Sequence, residues 1–153
     1  MSGEFNKVPK QERELEFWIH PQGRVVGSIY VREQSENHDG EESPLELFNR
    51  PDSFLVIHRG DTDEFRFYNK ASIIRAKLDN TEPEQSGHGE IACQMHMMDG
   101  SLLRGELRGN FAPDQSRFYD YLNADNGPFL CLYQDDNKIV LINKNYISYT
   151  REL

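Results

Sequence analysis

A stretch of seven residues occurs twice in this chain, and the copy constrains the fold more than any other feature. Phe67-Tyr68-Asn69-Lys70-Ala71-Ser72-Ile73 returns 74 residues later as Leu141-Ile142-Asn143-Lys144-Asn145-Tyr146-Ile147. Outward from this block, Phe54-Leu55 matches Phe129-Leu130, Leu47-Phe48-Asn49 matches Tyr121-Leu122-Asn123, and Gly27-Ser28-Ile29 matches Gly105-Glu106-Leu107. The matched blocks keep their order and nearly their spacing. A unit of about 75 residues is too long for a solenoid repeat, so the chain reads as two small domains or two halves of one barrel.

Each half alone has little core. A domain of about 65 residues buries only about 60% of its unfolded surface, so the halves are expected to share an interface or to oligomerise. The 9 Phe, 7 Tyr and 1 Trp supply the large buried areas that such thin cores need.

Alternation of apolar and polar residues sets out the strands. Leu15, Phe17 and Ile19 alternate with Glu14, Glu16 and Trp18, and Val25 to Val31 follows a turn at His20-Pro21-Gln22-Gly23. Gly27 inside that second strand marks a sharp bend. Residues 33–44 are a polar loop, and Leu45, Leu47 and Phe48 after Ser43-Pro44 fit a short helix. Strands are then expected at 54–58, 65–68 and 73–78.

Residues 1–12 are polar and read as a mobile arm, 13–78 as the first repeat, 79–90 as an acidic linker, and 91–153 as the second repeat. In that second repeat, strands are expected at 91–98, 102–107, 129–133, 138–142 and 146–150. Its helical segment falls at 113–123, and Asp99-Gly100 forms the first hairpin turn.

Five short strands, an Asp-Gly hairpin, a bent glycine-containing second strand and an Asn-containing last turn resemble Sm-like small barrels. The residues carrying the likeness are Met98 to Leu107 and Ile142 to Ile147. The resemblance, shared with SH3-like barrels, implies a mainly β chain of two tandem five-stranded barrels; this chain's own residues place a short helical segment between strands two and three of each, whereas an Sm helix normally precedes strand one. Departures are plain: that family usually has Gly where Lys144 stands and a basic residue where Asn143 stands, which argues against RNA binding. In an Sm-like arrangement the Asn-Lys turn lines a pore, which makes Asn69, Lys70, Asn143 and Lys144 the ligand- or partner-contact candidates. Gly27, Gly105, Asp99 and Gly100 are structural candidates.

Other chemistry finds little support. His20, His38, His58, His88 and His96 are scattered without zinc-site spacing, so no metal and no cofactor is expected. Glu41-Glu42 and Asp135-Asp136 read as solvated loop carboxylates, and Cys93 and Cys131 as buried free thiols in a reducing compartment. Of Met95, Met97 and Met98, alternation puts two in a core. Arg59-Gly60-Asp61 suits a hairpin turn.

The net charge of −9 divides as −3 over residues 1–78, −4 over 79–90 and −2 over 91–153. No segment is broadly basic, which disfavours nucleic acid and anionic membrane. There is no apolar signal core and no run of about 18 apolar residues. The expectation is a cytoplasmic, non-enzymatic protein-binding or assembly protein that meets a protein partner or further copies of itself. The alternatives are an Sm-like RNA binder and a small-ligand receptor with its site between the halves.

Overall fold

The computed structural model describes residues 9–81, 89–111 and 117–153. By contact the chain divides into two compact units, Met1–Ala76 and Lys77–Leu153. The described residues form ten strands and two short helices.

The first unit holds β1 (Lys10–Ile19), β2 (Gly23–Arg32), α1 (Pro44–Phe48), β3 (Phe54–Arg59), β4 (Glu64–Asn69) and most of β5 (Ile73–Asp79). β1 starts at Lys10, inside the stretch expected to be an arm, because Lys10 to Glu12 already pair with Arg32 to Tyr30. β1 and β2 stay paired along ten residues each, and Gly23 at φ +89° provides the left-handed turn position between them. Leu15, Phe17 and Ile19 face a core with Ile29, Val31, Ile57 and Ile73, where Phe17 lies parallel to Phe48 of α1 at 6.3 Å. A capping box starts α1: Glu46 N donates to Ser43 Oγ at 3.2 Å, and Ser43 N to Glu46 Oε1 at 3.0 Å.

The second unit repeats the order with β6 (Gly89–Met97), β7 (Leu102–Gly109), α2 (Arg117–Leu122), β8 (Phe129–Tyr133), β9 (Lys138–Asn143) and β10 (Ile147–Glu152). The Asp99-Gly100 turn forms as expected, with Gly100 at φ +89° and Ser101 N donating to Asp99 Oδ1 at 2.9 Å. Met95 and Met97 are buried and Met98 is exposed; Cys93 and Cys131 are both buried and free.

Hydrogen-bonded order is β5-β1-β2-β3-β4 in the first unit and β10-β6-β7-β8-β9 in the second. Both sheets are open, which corrects the expectation of closed barrels. The physical reason lies in the pairings. β3 meets β2 only at Gly27↔Arg59 and Ser28↔His58, and β8 meets β7 only at Glu106↔Tyr133. The strand that would have to come round to the first edge therefore leaves its neighbour early, and in neither unit do the two edge strands pair with each other.

The two glycines stand at these contacts. A Cβ on Gly27 would lie 2.6 Å from Ile57 Cγ2 and 3.0 Å from the His58 carbonyl oxygen. On Gly105 it would overlap the Tyr133 carbonyl oxygen and sit 2.8 Å from Leu132 Cγ. Close approach of the next strand demands glycine at both positions, whereas neither has a positive φ.

Residues 1–8 of the expected arm, 82–88 of the expected linker and 113–116 of the expected helical stretch lie outside the described residues. The helix of the second unit is described over Arg117–Leu122. No helix among the described residues is long and apolar enough to cross a membrane.

Candidate functional site

The Asn-Lys corners are built alike. Asn69 accepts from Ala71 N at 2.9 Å and Asn143 from Asn145 N at 3.0 Å, each capping a one-turn 3-10 helix between two strands. Lys70 Nζ donates to Leu47 O at 3.3 Å and Arg50 O at 3.1 Å, at the C-terminal end of α1. Lys144 Nζ donates to Ala124 O and Asn126 Oδ1, each at 3.2 Å, just after α2. Carbonyls at a helix C-terminus lack intrahelical donors, and an ammonium satisfies them while complementing the helix dipole. The repeated lysine thus fastens each helix end to the turn before the last strand. Burial holds both lysines below the usual ammonium range; at Lys70 the nearby Asp52 opposes that shift and Arg50 adds to it.

Lys70 is the more enclosed of the two, only 6% exposed. It lines a cleft of about 130 Å³ where β2 and β3 part, together with Tyr30 on β2 and Phe54 to Val56 on β3. Lys10, Arg50 and Asp52 complete its polar lining. Behind Arg50 lies Glu42, which is only 5% exposed, so its reading as a solvated loop carboxylate is corrected. Arg50 Nε donates to Glu42 Oε2 at 2.8 Å, and Arg32 N donates to Glu42 Oε1 at 3.0 Å. These hydrogen bonds give both Glu42 carboxyl oxygens partners where water does not reach.

Beside the cleft the sheet carries an aromatic surface. Phe54, Phe65 and Phe67 are 57%, 55% and 62% exposed, and their register places them on one face. Phe65 lies 4.7 Å from the His58 ring and 6.2 Å from that of Tyr30. Three large exposed rings on one small face are what soluble surfaces normally avoid. This surface escaped the sequence reading, in which β4 was recognised as a strand but its outward side was not. One signal was available: Glu64, Arg66 and Tyr68 can share the other face, leaving Phe65 and Phe67 together.

The edge beyond Phe65 and Phe67 has no neighbouring strand among the described residues, since β4 ends the order of its unit. Its counterpart β9 is different. Within the second unit the last residues of β5, Lys77–Asp79, run beside the start of β9: Asn80 N donates to Asn137 O at 2.9 Å, and Lys77 Nζ lies 3.6 Å from Asp136 Oδ2. Lys138 completes this contact with an ion pair to Asp79.

The remaining candidates are occupied internally. Arg59, 8% exposed, donates to both carboxylate oxygens of Asp61, at 3.1 and 2.6 Å, and to the Tyr68 hydroxyl at 3.1 Å. The Arg-Gly-Asp tripeptide is thereby folded on itself. His38 bonds Glu46, His58 bonds Asp63 and His96 bonds Gln94, so these three histidines lie apart; His88 is outside the described residues. Among the described residues no three His, Cys, Asp or Glu side chains gather as metal ligands. Burial pushes the Cys93 thiol up to about 11, with Glu152 adding to it, which leaves that sulfur protonated and unreactive at neutral pH.

Compared with known proteins, the chain matches no family model, no curated protein and no solved structure.

Proposed function

We propose that this is a non-enzymatic binding and assembly protein that works by strand addition at the β4 edge, and that the strand it takes is β10 of a second copy. The observation that carries this reading is the difference between two equivalent strands. β9 has the segment 77–80 along its edge, whereas β4 has none among the described residues and exposes Phe65 and Phe67 beside the gap. The turns that lead into them match closely, with Asp63 at φ +49° and Asn137 at φ +58°. An unpaired strand edge with apolar flanks is a ready template for another strand.

The repeat also supplies the occupant. Ile73 opens β5 as Ile147 opens β10, so Lys77–Asp79 correspond to Arg151–Leu153. β10 is itself an edge strand, with Tyr149 and Leu153 exposed. Docked as its counterpart is, Arg151 falls beside the acidic turn Asp61-Thr62-Asp63-Glu64, as Lys77 falls beside Asp136. Each copy has one edge of each kind, so the contact is head-to-tail and propagates into a ring or a filament. The buried, reduced thiols suit a cytoplasmic setting.

Light scattering across about 1 to 100 µM protein tests this, a range in which a micromolar contact becomes populated. The expected result is a mass that grows with concentration, falls back to the single chain in Arg151→Glu, and recovers when Glu64→Arg is added. A single chain throughout, or an oligomer indifferent to both changes, overturns the proposal.

A further inference from the structure

We propose that the cleft between β2 and β3 is a binding pocket for a small carboxylate, with Lys70 as its anchoring cation. This site lies beside the β4 edge but does not depend on assembly through it.

Three cations, Lys10, Arg50 and Lys70, line the cleft against one carboxylate, Asp52. Glu42 partners Arg50 from behind, which leaves the cleft cationic on balance. Lys70 is the telling group. An ammonium carries three donors, and two of those on Lys70 are spent on the Leu47 and Arg50 carbonyls. A cation that is only 6% exposed, lines the cleft and has a third donor beyond those two bonds is poised for an anion. Burial lowers both ammonium pKa values; Arg32 and Arg50 repel Lys10 against the pull of Glu42, and at Lys70 the pull of Asp52 comes ahead of the repulsion of Arg50, with Glu42 also opposing it. An anion among these groups relieves that repulsion.

The walls decide which anion. Leu47, Leu55, Val56 and the rings of Tyr30 and Phe54 give the cleft an apolar side. A strongly hydrated anion such as phosphate would lose water against these walls with little return. A monocarboxylate with a short branched tail places its charge at Lys70 and its carbons against Val56 and Phe54. The volume of about 130 Å³ limits the occupant to a few carbons. That carboxylate has two sources, a free metabolite-sized acid or an acidic side chain of a docked polypeptide, and the pocket recognises the same group in either.

Amide NMR titration of the full chain at low salt separates the outcomes. The probes are isovalerate, its uncharged twin isovaleramide, and an end-blocked Glu-Val dipeptide with its Gln-Val twin. Expected are saturable shifts at Arg50, Val56 and Lys70 with isovalerate and none with isovaleramide. Lys70→Met should weaken binding roughly tenfold, as loss of a charge-assisted bond does. Lys10→Gln, at the more exposed end, should weaken it severalfold and keeps the test open if Lys70→Met does not fold. Stronger binding of isovalerate than of the Glu dipeptide assigns a free acid, and the reverse assigns an acidic side chain. Equal responses to acid and amide, shifts that never saturate, or affinity unchanged in the folded variants overturn the proposal.

Discussion

Gly27 and Gly105 occupy equivalent places in the repeat, yet an added methyl meets different atoms at each. At Gly27 the nearest obstacle is the Cγ2 methyl of the buried Ile57, a side-chain atom, with the His58 backbone oxygen farther off at 3.0 Å. At Gly105 it is the Tyr133 carbonyl oxygen, which belongs to the backbone of the next strand and cannot move without it. Gly105→Ala should therefore cost about 2 to 3 kcal/mol and Gly27→Ala about 1 to 2, the range of overpacking in tight interiors. Urea denaturation of the two variants checks both the size and the order. A neutral Gly105→Ala would show that β7 and β8 do not approach as closely as described.

At the scale of elements, α1 and the loop before it depend on one carboxylate. Glu46 accepts from Ser43 N at 3.0 Å, Ser35 Oγ at 2.7 Å, Asn37 Nδ2 at 2.9 Å and His38 Nε2 at 2.5 Å. Burial works against its charge, but these hydrogen bonds outweigh it and hold the carboxyl at about 2, below an ordinary 4.5. A carboxyl whose folded pKa is depressed contributes stability that is complete above its unfolded value and fades as pH falls through the folded one. The window is thus pH 4.5 down to 2, and the contribution is at most about 3 kcal/mol. Glu46→Gln should lower stability at pH 6 and flatten the acid limb between pH 5 and pH 3, read from urea midpoints. An unchanged slope would show that the loop is held by other contacts. His38 titrates in the other direction: the Asp39 carbonyl and Glu46 raise its pKa, so its contribution fades as pH climbs past that raised value.

For the whole molecule, the proposed edge pairing between copies predicts that stability depends on concentration. Association that favours the folded chain raises Tm as protein is added. Calorimetry at about 10 and about 200 µM should show a Tm several degrees higher at the greater concentration, and no difference in Arg151→Glu. A concentration-independent Tm in the unaltered chain would place any association outside the folding equilibrium. With a net charge of −9, copies repel in general, so the proposed pairing is expected to depend on Arg151 meeting the acidic turn.

Local periodicity and a duplicated block were enough to locate the ten strands and two short helices of the described residues. Strand alternation and turn chemistry are short-range, so they are written into neighbouring residues. Asp99-Gly100 and the Asn69 and Asn143 corners formed as the residue types require. Properties that depend on distant partners were decided by tertiary structure. Glu42 looks solvated among polar neighbours and is buried because Arg50, eight positions on, bonds it. Lys70 stands out in the sequence only as a contact candidate on a turn, and its bonds to the end of α1 come from residues about 20 positions away. The pattern of β4 groups Phe65 and Phe67 on one face, but nothing within the strand says that this face would be left outside, which the packing of the unit decides. The opening of the sheets was likewise beyond local reading, since it rests on how far β3 and β8 follow their neighbours, and a strand carries no record of where its partner departs.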